Sequence, residues 1–221
     1  MTAIWLSGAP LQAQALDGLA ELNEQCLELI CEQAACSNGA RPAFIAQLEA
    51  LWTALDAQAR RRAARCPFLL VELGFARGRV PTDLAGEGLR GEPWARQPGQ
   101  PGAFFTVPRT LTVARLVLAY TWHLARMEEV ASRLFLGLAP PWIERIAACT
   151  LRQVMQLAES QPGMLEPRWP DRVGVWRELL VAAASGEPSA LEPVKIRGLQ
   201  LLAAQVRADR AGSGRAGAGW A

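Results

Sequence analysis

The chain has 221 residues, 51% hydrophobic and 20% charged, a balance that supports a real core and excludes wholesale disorder. Its formal net charge of +2 is too small to argue for nucleic acid by itself, and the positive side is nearly all arginine, with Lys195 as the only lysine. The most apolar run, Leu111 to Leu124, is broken by Arg115 and falls short of the roughly 20 residues of a spanning helix, so no membrane contact is expected.

The N-terminus carries neither a basic segment nor an uninterrupted apolar one, so no secretion signal is expected and the cytoplasm is the expected compartment. Five cysteines, without a CxxC pair, are then reduced thiols. Cys26, Cys31 and Cys36 recur every fifth residue, a spacing that rotates each off the previous one on a helix. They are expected as small buried hydrophobes, and no metal site or cofactor is expected.

From Gln12 to Ala35 the chain is rich in Ala, Leu, Glu and Gln, with Leu19, Leu22, Cys26, Leu29 and Ile30 on one helical face. Ser37-Asn38-Gly39 is a stop. Arg41 to Arg65 predicts a second helix, with Pro42 in its first turn and Phe44, Ile45, Leu48, Leu51, Trp52 and Leu55 as its stripe. The two predict an antiparallel helical hairpin. Cys66-Pro67 ends it, and Phe68 to Phe75 is either a buried strand or a helical turn. Arg77 to Pro108, dense in Gly and Pro, predicts a long loop and the best domain boundary.

Thr110 to Leu136 predicts one long helix, apolar around most of its circumference, either central or a dimer interface, with Gly137 as its C-cap. Pro140-Pro141 opens a short helix to Ala148. Thr150 and Gln153 form a capping-box pattern for a helix to about Glu159, which Gln161-Pro162-Gly163 ends. Helices are expected over Asp171 to Ala184 and over Val194 to Asp209, the latter with Ile196, Leu199, Leu202, Ala203 and Val206 inward. The Gly/Ala/Ser-rich end, 211–221, reads as disordered. The expected fold is therefore all-α: a helical bundle with a hairpin over 1–76, a Gly/Pro-rich loop or linker over 77–108, a helical domain over 109–209 and a tail over 210–221.

Part of the second block resembles a known family. Ala131-Ser132, Phe135 and Leu136-Gly137-Leu138 are followed by Thr150-Leu151, Gln153, Leu157-Ala158-Glu159 and Arg168-Trp169. This ordered series, within about residues 111–171, is similar to FlhD, a flagellar transcriptional activator subunit. The first 108 residues show no such likeness, and the helices after Asp171 match poorly. The resemblance implies an all-helical homodimer that activates transcription on promoter DNA together with a second, FlhC-like subunit. A family cysteine that links two subunits falls near Leu165 here, so a disulfide-linked dimer is not implied.

The residues from Pro140 to Glu159 also have helix-turn-helix proportions, a short helix, a tight turn at Cys149-Thr150 and a capped second helix of the kind that enters a major groove. Arg145, Arg152, Arg168 and Arg172 are the candidate phosphate contacts, against the alternative of a solvated face balanced by Glu144, Glu159 and Glu166. Leu116, Leu118, Trp122 and Phe135 are the candidate dimer contacts. Trp52, Arg61 (in the Arg60-Arg61-Arg62 cluster) and Trp94 are the candidate partner contacts. His123, the lone histidine, has no nucleophile or carboxylate at a recognisable spacing, and no GxSxG, GxGxxG or P-loop occurs, so no catalytic residue is named and an enzyme is not expected. The alternative function is a protein-interaction module on a FlhD-like scaffold, without DNA contact.

Overall fold

The first apolar stripe forms helix α1 (Gly8–Ala35), which buries Leu19, Leu22, Cys26, Leu29 and Ile30. The computed structural model describes residues 8–36, 42–74, 103–160 and 162–216, with side chains from 13 to 208. The expected stop at Ser37-Asn38-Gly39 lies outside the described residues.

The single helix expected over Arg41 to Arg65 is three: α2 (Ala43–Ala46), α3 (Glu49–Ala54) and α4 (Ala57–Ala64). Leu48 leaves helical geometry at φ −117°, and Leu55 is extended at ψ 94°. Asp56 then restarts the chain, its carboxylate accepting the Ala59 N–H at 2.7 Å. The stripe survives these breaks, since Phe44, Ile45, Leu48, Trp52 and Leu55 are all buried against α1 and its neighbours. Asn23, fully buried on α1, secures the exit from α4. Its amide donates to the carbonyls of Ala64 (3.1 Å) and Phe68 (2.9 Å) and its oxygen accepts the Leu70 N–H (2.9 Å).

The ambiguous run resolves as strand β1 (Val71–Leu73), paired antiparallel with β2 (Leu165–Pro167) in the register Val71↔Pro167, Glu72↔Glu166, Leu73↔Leu165. The expected long helix is two, α5 (Thr110–Met127) and α6 (Glu129–Leu136), because Glu128 adopts φ −149° and ψ 89°. Gly137 ends α6 at φ 67°, as its position predicts. Helices α7 (Pro140–Ala148) and α8 (Leu151–Ser160) follow, and a 3-10 turn at Pro162–Met164 leads into β2. Helix α9 (Val173–Ser185) ends at Gly186, φ 80°.

Helix α10 (Pro188–Ala216) is longer at both ends than expected. Pro188 occupies its first position, where no N–H is needed, and Pro193 forfeits one early hydrogen bond. Residues 211–216 of the expected disordered tail are helical, and 217–221 lie outside the described residues.

Among the described residues the architecture is ten helices and one two-stranded ribbon, an all-α fold. The boundary expected at 77–108 does not separate two cores. Phe44 of α2 and Trp52 of α3 stack against Trp176 of α9 at 5.0 and 5.7 Å, β1 pairs with β2, and the Arg62 Nε donates to the Ala183 carbonyl at 2.7 Å. Residues 75–102 of that stretch, Trp94 included, lie outside the described residues, while Phe105 and Val107 are buried. Arg109 pairs with Glu28 and Glu32, fixing the start of α5 on α1.

Candidate DNA-reading and partner-binding surfaces

The helix-turn-helix-shaped pair forms for local reasons. The Thr150 hydroxyl accepts the Gln153 N–H at 3.3 Å, and the Gln153 side chain accepts the Thr150 N–H at 2.8 Å. Val154, Leu157 and Ala158 pack α8 onto α5, which leaves Leu151, Arg152, Gln156, Glu159 and Ser160 on the outer face. The turn is tied down from α5, where the Trp122 indole donates to the Cys149 carbonyl at 2.7 Å.

The candidate arginines fare differently. Arg152 is exposed at the capped start of α8, and Arg145 is half-buried with its guanidinium 5.0 Å from the Trp142 ring centre. Arg172 is exposed just before α9. Arg168 is a correction. It is only 1% exposed, and its guanidinium donates to the carbonyls of Leu69 (2.8 Å), Leu136 (2.8 Å) and Val71 (3.3 Å), so it is not presented to a phosphate. Arg126, absent from the candidates, is exposed with its guanidinium 4.9 Å from the Trp122 ring. The Trp122–Arg126 spacing of four residues was the available signal.

Arg168 also lines a narrow cleft with Glu72, Thr121, Gly137, Trp142 and Gln205, where about 20 Å³ is open to the centres of water molecules, the space of one or two waters. Gln205 donates to Glu72 at 3.2 Å, and the buried Thr121 hydroxyl has no hydrogen-bond partner among the described residues. Burial pushes the Arg168 guanidinium down to about 10, and the Glu72 carboxylate opposes that fall.

The dimer candidates also divide. Leu118 is buried in α5 against its own chain and is unavailable to a second copy. Trp122 and Phe135 are half-buried against the same core, and Leu116 is exposed. The larger apolar exposure lies on and next to α6, at Met127, Val130 and Leu134. Of the partner candidates, Trp52 is corrected as well. It is 2% exposed, inside the aromatic cluster, so Trp52→Ala tests the core and not a docking site. Arg61 is exposed and faces Glu24 at 3.4 Å.

His123 is exposed. Among the described residues no three His, Cys, Asp or Glu side chains converge as metal ligands, and no helix is long and apolar enough to cross a membrane.

No family model, curated protein or solved structure matches this chain. The likeness to FlhD therefore rests on the residue series from Ala131 to Trp169 alone.

Proposed function

We propose that this chain is a helical transcription regulator that contacts promoter DNA through α7–α8 and acts by association, with a second copy or with an FlhC-like subunit. The observation that carries the reading is the α7–α8 pair itself. Its second helix is capped, held at the turn by Trp122, and presents Arg152 outward. A helix so placed reaches a groove while its inner face stays on the core. The FlhD-like series over the same residues supports the same reading. Arg145, Arg152 and Arg126 then meet phosphates. The test is a gel shift with fragments upstream of the chain's own gene, over a salt series. The expected result is a retarded complex that weakens steeply with salt. No complex at low salt, with or without a candidate second subunit, overturns the DNA contact.

The second reading, a protein-interaction module without DNA contact, is favoured by the apolar residues at α6. On that reading a protein partner is captured by the full chain, and Val130→Asp abolishes the capture while Arg152→Ala leaves it intact.

A further inference from the structure

Buried polar atoms are hydrogen-bonded almost without exception, so each one that is not calls for a physical reason. Two such groups meet at the narrow cleft behind α7. Thr121, 1% exposed, lines it, and its hydroxyl has no hydrogen-bond partner among the described residues. Arg168 uses Nε and Nη2 on the carbonyls of Leu69, Val71 and Leu136, and Nη1, with its two N–H groups, makes no hydrogen bond among the described residues. Nη1 lies against Gly137, where a Cβ would stand 3.0 Å from it, so the glycine leaves it uncovered on the cleft side. All three carbonyls are neutral, and among the described residues no carboxylate is within ion-pair distance of the guanidinium. A buried cation held in this way favours an anionic group close by.

The opposite charge stands on the same cleft. Glu72 lines it and accepts from the Gln205 amide at 3.2 Å, and a carboxylate accepts about four donors in all. Gln205 is aimed by Trp169, whose indole N–H donates to it at 3.3 Å. Trp169 holds φ 52°, a left-handed backbone that is costly for a bulky residue and recurs at ligand clamps. Helix α10 turns Ile196 and Leu199 outward, instead of inward as its spacing suggested, and so brings Gln205, on the side opposite Ile196, to the cleft.

A cation with two unused N–H groups, a hydroxyl and a carboxylate around one small space are complementary to a carboxylate that carries an ammonium one carbon away. A simple carboxylate is repelled by Glu72 and a simple amine by Arg168, whereas an α-amino acid satisfies both. The open space is that of one or two waters, which seats the two carboxylate oxygens with the α-carbon at the mouth and leaves no room for a long side chain. We propose that this cleft binds a small α-amino acid, glycine or alanine, with its carboxylate on Arg168 Nη1 and the Thr121 hydroxyl and its ammonium on Glu72. The site lies behind the proposed reading unit, since Trp142 of α7 lines it and carries the Arg145 guanidinium on its ring, but binding requires no DNA.

Isothermal titration of the full chain with glycine, without DNA, tests it. The expected result is saturable binding at one site, with acetate and methylammonium, which carry one charge each, at least about tenfold weaker. Thr121→Val keeps the shape and removes only the hydroxyl. It is expected to weaken glycine at least about tenfold while the melting temperature holds or rises, because an unpartnered buried hydroxyl does not stabilise the fold. Glu72→Gln is expected to narrow the difference between glycine and acetate, since the ammonium loses its counter-charge. No saturable binding of glycine or alanine up to about 50 mM overturns the proposal. Glycine bound equally by the wild type and Thr121→Val is bound elsewhere and overturns the cleft. Acetate bound as tightly as glycine overturns the amino-acid assignment. A gel shift without glycine binding leaves the α7–α8 reading standing, and glycine binding without a gel shift leaves this site standing.

Discussion

Arg168 is the side chain on which the middle of the molecule hangs. A fully buried guanidinium is tolerated here because its planar fork reaches three backbone carbonyls and because Glu72 lies beside it. Its lowered proton affinity reports the penalty of burial, and at neutral pH it remains charged. Arg168→Met takes the donor from those carbonyls and the cation from beside Glu72, and is expected to lower stability by about 3–5 kcal/mol in urea denaturation. Arg168→Lys is expected to recover little, since an ammonium cannot span the three acceptors. An unchanged urea midpoint in Arg168→Met contradicts this role. Burial also holds several acids in their protonated form. It raises the Cys31 and Cys149 thiols, pushes Cys66 up to about 12 from 9.0 and Tyr120 up to about 12 from 10.0, and raises Cys26 further still. Each binds its proton more tightly folded than unfolded, so its contribution is complete below the unfolded value and is lost as pH rises toward the folded one. Thermal stability is therefore expected to fall progressively between about pH 9 and 12. A flat profile there contradicts the burial of these groups.

At the scale of elements, two glycines in helices separate packing from propensity. A Cβ on Gly198 of α10 would stand 2.1 Å from the Phe68 ring, whereas a Cβ on Gly174 of α9 meets nothing within 4 Å. Alanine gains up to about 1 kcal/mol of helix propensity over glycine. At Gly174 that gain stands alone, and Gly174→Ala is expected to raise the melting temperature. At Gly198 the overlap costs about 1–3 kcal/mol and wins, so Gly198→Ala is expected to lower it. Equal shifts of the same sign contradict the close crossing of α10 over Phe68. The elements legible in the sequence are those whose signals are local: the Thr150–Gln153 box, the glycine cap at 137, and the stripe of α1. The breaks at Leu48, Leu55 and Glu128 involve neither Pro nor Gly, and the apolar repeat runs through them; the one local sign is Asp56, which caps the restart after Leu55. Strand β2 was missed because three residues without alternation become a strand only against β1, nearly a hundred positions earlier. For the same reason Arg168 read as one more surface arginine.

At the scale of the whole molecule, the aromatic cluster of Phe44, Trp52 and Trp176 and the β1–β2 ribbon join the two sides of the Gly/Pro-rich stretch into one core. Composition and loop length suggested a boundary there because they report chain flexibility and are blind to long-range contacts. The shared core leaves two surfaces outward, the α7–α8 pair with its arginines and the apolar side of α6, and the functional reading depends on them. The most direct measurement is the salt dependence of binding to an upstream promoter duplex, by fluorescence anisotropy, for the wild type and Arg152→Ala. Direct contact by Arg152 makes binding by the variant weaker at every salt concentration, with a log–log slope shallower by about 0.9, one released counterion. Identical slopes and affinities, or no binding by the wild type, contradict it.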